Sequence, residues 1–161
     1  MRKLKKLTAL LTALVLIICS LASCSLFGSV AETGDVTVVI EKENGEYEVY
    51  KVYLEDITDK SSGAAAVLEH LSSREKNPLP LDMTDSDYGK YLYAIGSIRE
   101  NTAEKKYVMI YTSLEKDFGT WDGVSTVEYE GITLKSAGVG LSAMSLEEGT
   151  VILFRLEVSP W

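Results

Sequence analysis

The spacing of apolar positions changes along the chain, and each change predicts an element. An unbroken apolar run from Leu7 to Cys19 follows the basic start Met1-Arg2-Lys3-Leu4-Lys5-Lys6. Ser25 to Gly34 is small and polar apart from Leu26, Phe27 and Val30, and its lack of period predicts a flexible tether of about ten residues. Order is expected to begin near Asp35. There Val36, Val38 and Ile40 alternate with Thr37, Val39 and Glu41, and Tyr47 to Leu54 resumes a β-branched, aromatic pattern after Glu43-Asn44-Gly45-Glu46. Asn-Gly between two such runs predicts a hairpin of strands 35–42 and 47–54 with positive φ at both central residues. Ala64, Val67, Leu68 and Leu71 recur at helical spacing, so a helix is expected from Gly63 to Arg74. The hydroxyls of Ser61-Ser62 would cap it and Asn77-Pro78-Leu79-Pro80 would end it.

Farther on, Leu81 to Lys90 reads as an acidic loop, and Tyr91 to Ile98 returns to strand character. Lys106 to Ser113 is apolar on both alternating faces, the mark of a central strand covered on two sides. Asp117 to Ser125 is a loop holding Phe118 and Trp121, and Val127–Tyr129 with Ile132–Leu134 forms a second hairpin around Glu130-Gly131. Ser136 to Ser142 is irregular, and Thr150 to Val158 closes the chain with Ile152, Phe154, Leu156 and Val158 on one face. The sum is an α+β domain: a mostly antiparallel β-sheet packed on one α-helix, β-grasp-like.

The leading run is shorter than the roughly 18 residues of a spanning helix, and a basic start with small residues behind it is the layout of a secretory signal peptide. Leu21-Ala22-Ser23-Cys24 resembles the lipobox of bacterial lipoproteins, which implies cleavage before Cys24 and a diacylglyceryl group on its thiol. The expected organisation is therefore a signal peptide with lipobox at 1–23, a lipidated tether at 24–34 and a domain at 35–161. Localisation would be extracytoplasmic, with Cys24 anchored in the bilayer of the bacterial cell membrane.

Cleavage would leave 138 of the 161 residues and remove four of the 16 basic side chains against 24 acidic ones, taking the formal charge from −8 to −12. Such a surface argues against nucleic acid, which needs clustered Lys and Arg. With Cys19 discarded and Cys24 acylated, neither a disulfide nor a cysteine nucleophile nor a thiolate metal site remains.

Tyr91-Leu92-Tyr93-Ala94-Ile95-Gly96-Ser97-Ile98, Tyr107 to Ser113 and Leu146-Glu147-Glu148-Gly149-Thr150-Val151 stand in the order and spacing of domain of unknown function 4430, which is similar to the C-terminal β-domain of transcobalamin. The resemblance runs from Val36 to Glu157. Where that family often has Trp-Met-aromatic-Tyr-x-Asn in its central strand, this chain has Val108, Ile110 and Ser113 at the tryptophan, first aromatic and asparagine positions.

Three readings of function follow. The resemblance implies a non-catalytic ligand-binding module with a corrinoid as the ligand to test first, and Tyr91, Tyr93, Tyr107, Tyr111 and Trp121 could supply flat apolar surface for it. Asp82, Asp85 and Asp87 could instead offer hard oxygens to Ca²⁺, although the third acid and distal Glu of an EF-hand are missing. A protein-interaction module of a cell-envelope complex is the remaining alternative. An enzyme is not expected, because the single histidine, His70, falls on the helix flank without a nucleophile motif nearby.

Overall fold

The structure, a computed structural model, describes residues 28–159. The leader, the lipobox and Cys24 lie outside the described residues. Nine strands and one α-helix run in the order β1 (Asp35–Glu41), β2 (Tyr47–Tyr53), α1 (Ala64–Ser72), β3 (Leu81–Ser86), β4 (Gly89–Ile95), β5 (Ile98–Arg99), β6 (Lys106–Thr112), β7 (Thr126–Tyr129), β8 (Ile132–Ser136) and β9 (Val151–Val158). Six of the strands form one sheet in the order β2-β1-β9-β6-β8-β7, and β3-β4-β5 form a second. The α+β class holds. The large sheet is antiparallel except where β1 pairs with β9, and this parallel pair is buried on both faces, as such pairs require. The β-grasp-like layout expected is not what the sheets form: one six-stranded mixed sheet curls and a separate three-stranded antiparallel sheet packs beside it.

One face of the large sheet carries Val36, Val38, Ile40, Ile152 and Phe154, all fully buried against Val67, Leu68 and Leu71 of α1 and Leu92, Ile95 and Ile98 of the small sheet. The opposite face gathers Val39, Tyr111, Leu134, Val151 and Leu153. Among the described residues no helix covers that side. Instead the sheet curls until Tyr47 of β2 and Tyr129 of β7, strands from opposite ends of the order, meet edge-to-face with ring centroids 5.2 Å apart. The middle position foreseen for β6 follows from this: its even residues Val108 and Ile110 face the helix side, and Met109 and Tyr111 face the inside of the curl.

Four local expectations are corrected. The stretch 28–34 is a docked strap, not a tether. Ser29 and Ala31 bracket Leu146 through backbone hydrogen bonds of 2.9 Å each, Lys60 Nζ donates to the Glu32 carbonyl at 3.0 Å, and Leu54 N–H donates to Gly34 O at 2.8 Å. The domain therefore begins at least six residues before Asp35, with Ser29 already engaged. At the first hairpin only Gly45 takes positive φ, and Lys42 N–H closes a wider loop onto Glu46 O; the pair with both φ positive is Glu130-Gly131. Helix α1 starts at Gly63 without a side-chain cap, its first N–H groups bonding to the Ser62 and Gly63 carbonyls. Finally, Leu81 to Lys90 is no acidic loop but the β3–β4 hairpin.

Candidate functional site

Tyr91 and Tyr93 project from the outer face of β4, 40% and 41% exposed, while Leu92 between them is buried. Alternation along a strand puts them on one side. Register across the hairpin passes from Met83 opposite Leu92 to Asp82 opposite Ala94, so Tyr93 is the extra residue of a bulge, a device that re-aims a side chain. Its ring packs against that of Tyr91 with centroids 4.8 Å apart and planes at 61°.

Glu100 holds this pair in place. The Tyr91 hydroxyl donates to its carboxylate at 3.0 Å, and Oε1 also accepts the backbone N–H of Val108 at 3.1 Å, tying the small sheet to β6. Tyr107, the half-buried neighbour of Val108, shares the parity of Met109 and Tyr111, which face the inside of the curl, and no ring contact among the described residues joins it to the pair, although it lies near enough for its charge to act on the Tyr91 phenol. Burial first, then the hydrogen bond to Glu100 and the charges of Glu100, Tyr93 and Tyr107, pushes the Tyr91 phenol up to about 12. It therefore stays a neutral donor near neutral pH. The patch offers flat ring surface flanked by one carboxylate. Nothing in the sequence pattern singled out Glu100, because its partners, Tyr91 and Val108, become neighbours only when the small sheet packs on β6.

Of the five aromatics expected to form a ligand surface, Tyr91 and Tyr93 come together and the other three do not join them ring to ring among the described residues. Tyr111 is fully buried inside the curl, its hydroxyl bonded to Ser125 Oγ at 2.8 Å and donating to Glu157, so it has no surface for a ligand. Trp121 is 52% exposed, but its ring lies over Gly119, where a Cβ would stand 2.4 Å from the indole. No ring contact among the described residues joins it to Tyr91 or Tyr93.

The aspartates do not converge either. Asp82 is bound to Arg99 at 2.8 Å and Asp85 to Lys90 at 2.9 Å, and Asp87 sits at the hairpin tip. Strand geometry spreads these side chains along β3 and its turn instead of wrapping them around a point, and among the described residues no group of three His, Cys, Asp or Glu is placed to hold an ion.

A second concavity went unnoticed in the sequence. The β3–β4 turn and the helical turn Leu141–Ala143 enclose a recess of about 570 Å³, rimmed by Tyr88 and Val139 and floored by Gly140 and Ala143. Gly89 must be glycine here: its φ is +95° and a Cβ would come 2.8 Å from Ser142 Oγ, which accepts the Lys90 N–H at 2.9 Å. That bond clamps the turn and leaves Tyr88 94% exposed.

Neither a protein-family model nor a curated protein sequence matches the chain. Among solved structures it superposes on a candidate metal-binding protein from Ruminococcus gnavus ATCC 29149 with a TM-score of 0.51 and 11% identity, covering 78% of this chain and 98% of that one. It also superposes on haptocorrin in complex with Cbi, with a TM-score of 0.53 and 12% identity, covering 78% of this chain and 25% of haptocorrin. At such identities the likeness is one of fold, which is transcobalamin-like, and the chain spans about a quarter of haptocorrin's length.

Proposed function

We propose that the protein is an exported, lipid-anchored, non-catalytic binding module that receives a flat small molecule on the Tyr91-Tyr93 platform, a corrinoid being the first ligand to test. The observation that carries this reading is the pair of half-exposed rings fixed by a bulge and by Glu100, on a fold shared with a protein solved with Cbi. Such rings lose little entropy when a ligand stacks on them, because the carboxylate already holds one of the two. The platform is open on one side. A single domain of this size covers one face of a large planar ligand, so an affinity of about micromolar order is expected. Lipidation rests on the Leu-Ala-Ser-Cys sequence, and the non-catalytic assignment on His70 being the single imidazole of the chain.

The test is absorbance and calorimetric titration of the mature chain carrying Cys24→Ala with cobinamide and cobalamin, repeated on a Tyr91→Ala/Tyr93→Ala variant. Binding that the double variant loses while keeping its melting transition supports the platform. Saturating corrinoid with no change in absorbance, heat or melting temperature overturns the corrinoid, and the envelope-interaction role then becomes the better account. Metal binding has the Ruminococcus gnavus neighbour in its favour, and melting curves that differ between millimolar Ca²⁺ and chelator would support it.

A further inference from the structure

We infer that the Tyr88–Val139 rim is a membrane-seating surface whose occupant is the interfacial layer of the phospholipid bilayer that holds Cys24. This rests on the lipidation proposed above and concerns a different surface from the tyrosine platform.

The argument begins with where the chain leaves the fold. Gly28 lies directly on the backbone of Ala143 and Met144, so closely that a Cβ at Gly28 would stand 2.0 Å from the Met144 carbonyl oxygen. Ser29 is fixed beside it by Ser145 Oγ at 3.1 Å and by Lys116 Nζ at 3.0 Å. Ala143 also floors the recess, so the exit point and the recess share a wall. Cys24 is four residues from Gly28, a span of at most about 14 Å even fully extended. A diacylglyceryl group on Cys24 therefore brings the acyl layer to within reach of the rim, and the strap prevents the domain from drifting away.

The chemistry of the rim fits that neighbour. Tyr88 is 94% exposed and Val139 36%, an arrangement that costs free energy in water. Tyrosine is the residue type that settles at the headgroup level, with its ring among acyl carbons and its hydroxyl in water. Asp87 is the only charged residue lining the recess, so a zwitterionic surface suits it better than a strongly anionic one. A buried aromatic adds to the hold of the acyl chains, which binds better through two signals than through one.

Acylation of Cys24 leaves the mature chain without a thiol, so single-cysteine variants can be labelled cleanly. The full-length protein, lipidated in cells and reconstituted in phosphatidylcholine vesicles, is labelled with an environment-sensitive dye on Tyr88→Cys and, as a reference, on Val158→Cys. Val158 closes β9, which pairs with β1 near the strap at its other end, about 23 Å away along the strand. The expected result is a blue-shifted emission at position 88, quenched at least twofold by brominated lipid, and an unshifted, unquenched dye at position 158. A lipidated, vesicle-bound protein whose dye at 88 is quenched no more than that at 158 overturns the seat and leaves the lipoprotein reading standing. Intact mass showing an unacylated mature chain overturns both.

Discussion

Tyr91 shows what one side chain's surroundings do to it. Its phenol gives up water on one flank and donates to a carboxylate on the other, and both effects favour the neutral form, so it ionises near pH 12 when folded and near 10 when unfolded. A raised value in the folded state means that the folded chain holds its proton longer. The stabilisation is complete below pH 10 and is lost as pH rises towards 12. Burial raises Tyr50, Tyr111 and Tyr129 as well, so a phenolate titration followed by ultraviolet absorbance should show a late component that Tyr91→Phe diminishes by one phenol. Glu100→Gln should shift that phenol downward without returning it to 10, because burial is the larger cause and survives the substitution. A late component unaffected by Tyr91→Phe would refute the assignment. Asp117 tests the same physics in a carboxylic acid, which is likewise neutral when protonated and anionic when not. It is 5% exposed, it accepts the Ser145 N–H at 2.7 Å, and burial pushes its carboxyl above the usual range. Asp117→Asn keeps an acceptor for Ser145 and sheds the buried charge, so the variant should melt no lower than the parent at pH 7, with its advantage fading in acid. A marked fall in melting temperature at neutral pH would show that the ionised carboxylate is needed.

At the scale of elements, α1 owes its place to packing more than to its ends. It has nine residues and no side-chain cap, which is marginal for an isolated helix, yet six of them are buried. Leu71→Ala should cost about 2 to 5 kcal/mol, since the large sheet cannot collapse into the space left, whereas Ser62→Ala should cost almost nothing. Thermal melts of the two variants decide the matter, and a large loss in Ser62→Ala would restore the hydroxyl cap as a real contributor. These elements were legible in the sequence because they repeat with a local period: β1, β2, α1, β6, the β7–β8 hairpin and β9 lie within a residue or two of their expected bounds. What was illegible depends on distant partners. The strap Gly28–Gly34 has no period because backbone hydrogen bonds to Leu146 and Leu54 dock it and its few side-chain contacts, Ser29 with Lys116 and Val30 and Ala31 against the core, follow no repeat. β3 was hidden by Asp82, Asp85 and Asp87, whose exposure on a thin outer sheet looks in sequence like a solvated loop. Tyr111 and Tyr107 share the parity of one strand, yet the curl swallows the first and leaves the second half-buried. The proposed site was legible only in part: the Tyr91–Tyr93 pair could be named from strand alternation, but Glu100 and the Tyr88 rim could not.

The whole molecule is an acidic body, and its charge constrains how it can be held at a membrane. Cleavage before Cys24, as proposed, would leave 12 basic residues against 24 acidic ones, and the cations near the strap are already engaged, Lys60 with Glu32 and Lys116 with Glu147. Among the described residues no basic patch is therefore left there to grip anionic lipid, and the general field of the body repels it. Among the described residues no helix is long and apolar enough to cross a membrane, so the anchoring proposed here rests on acyl chains at Cys24 with the Tyr88 rim as a lesser contribution. Each buried methylene contributes about 0.8 kcal/mol, which makes two or more chains dominant over any one side chain. The two modes of attachment differ in their response to salt. Electrostatic binding weakens within a Debye length that shrinks to about 3 Å at molar salt, whereas hydrophobic anchoring does not weaken at all. Membranes from expressing cells should thus retain the protein through a molar salt wash and release it to detergent. Cys24→Ala should send it to the soluble fraction with an unchanged melting temperature, since Cys24 precedes the docked strap. Tyr88→Ser should leave the acylated protein on the membrane, because the rim positions the domain while the acyl chains hold it. Release by salt alone would mean that the protein is carried by a charged partner instead of by its own lipid.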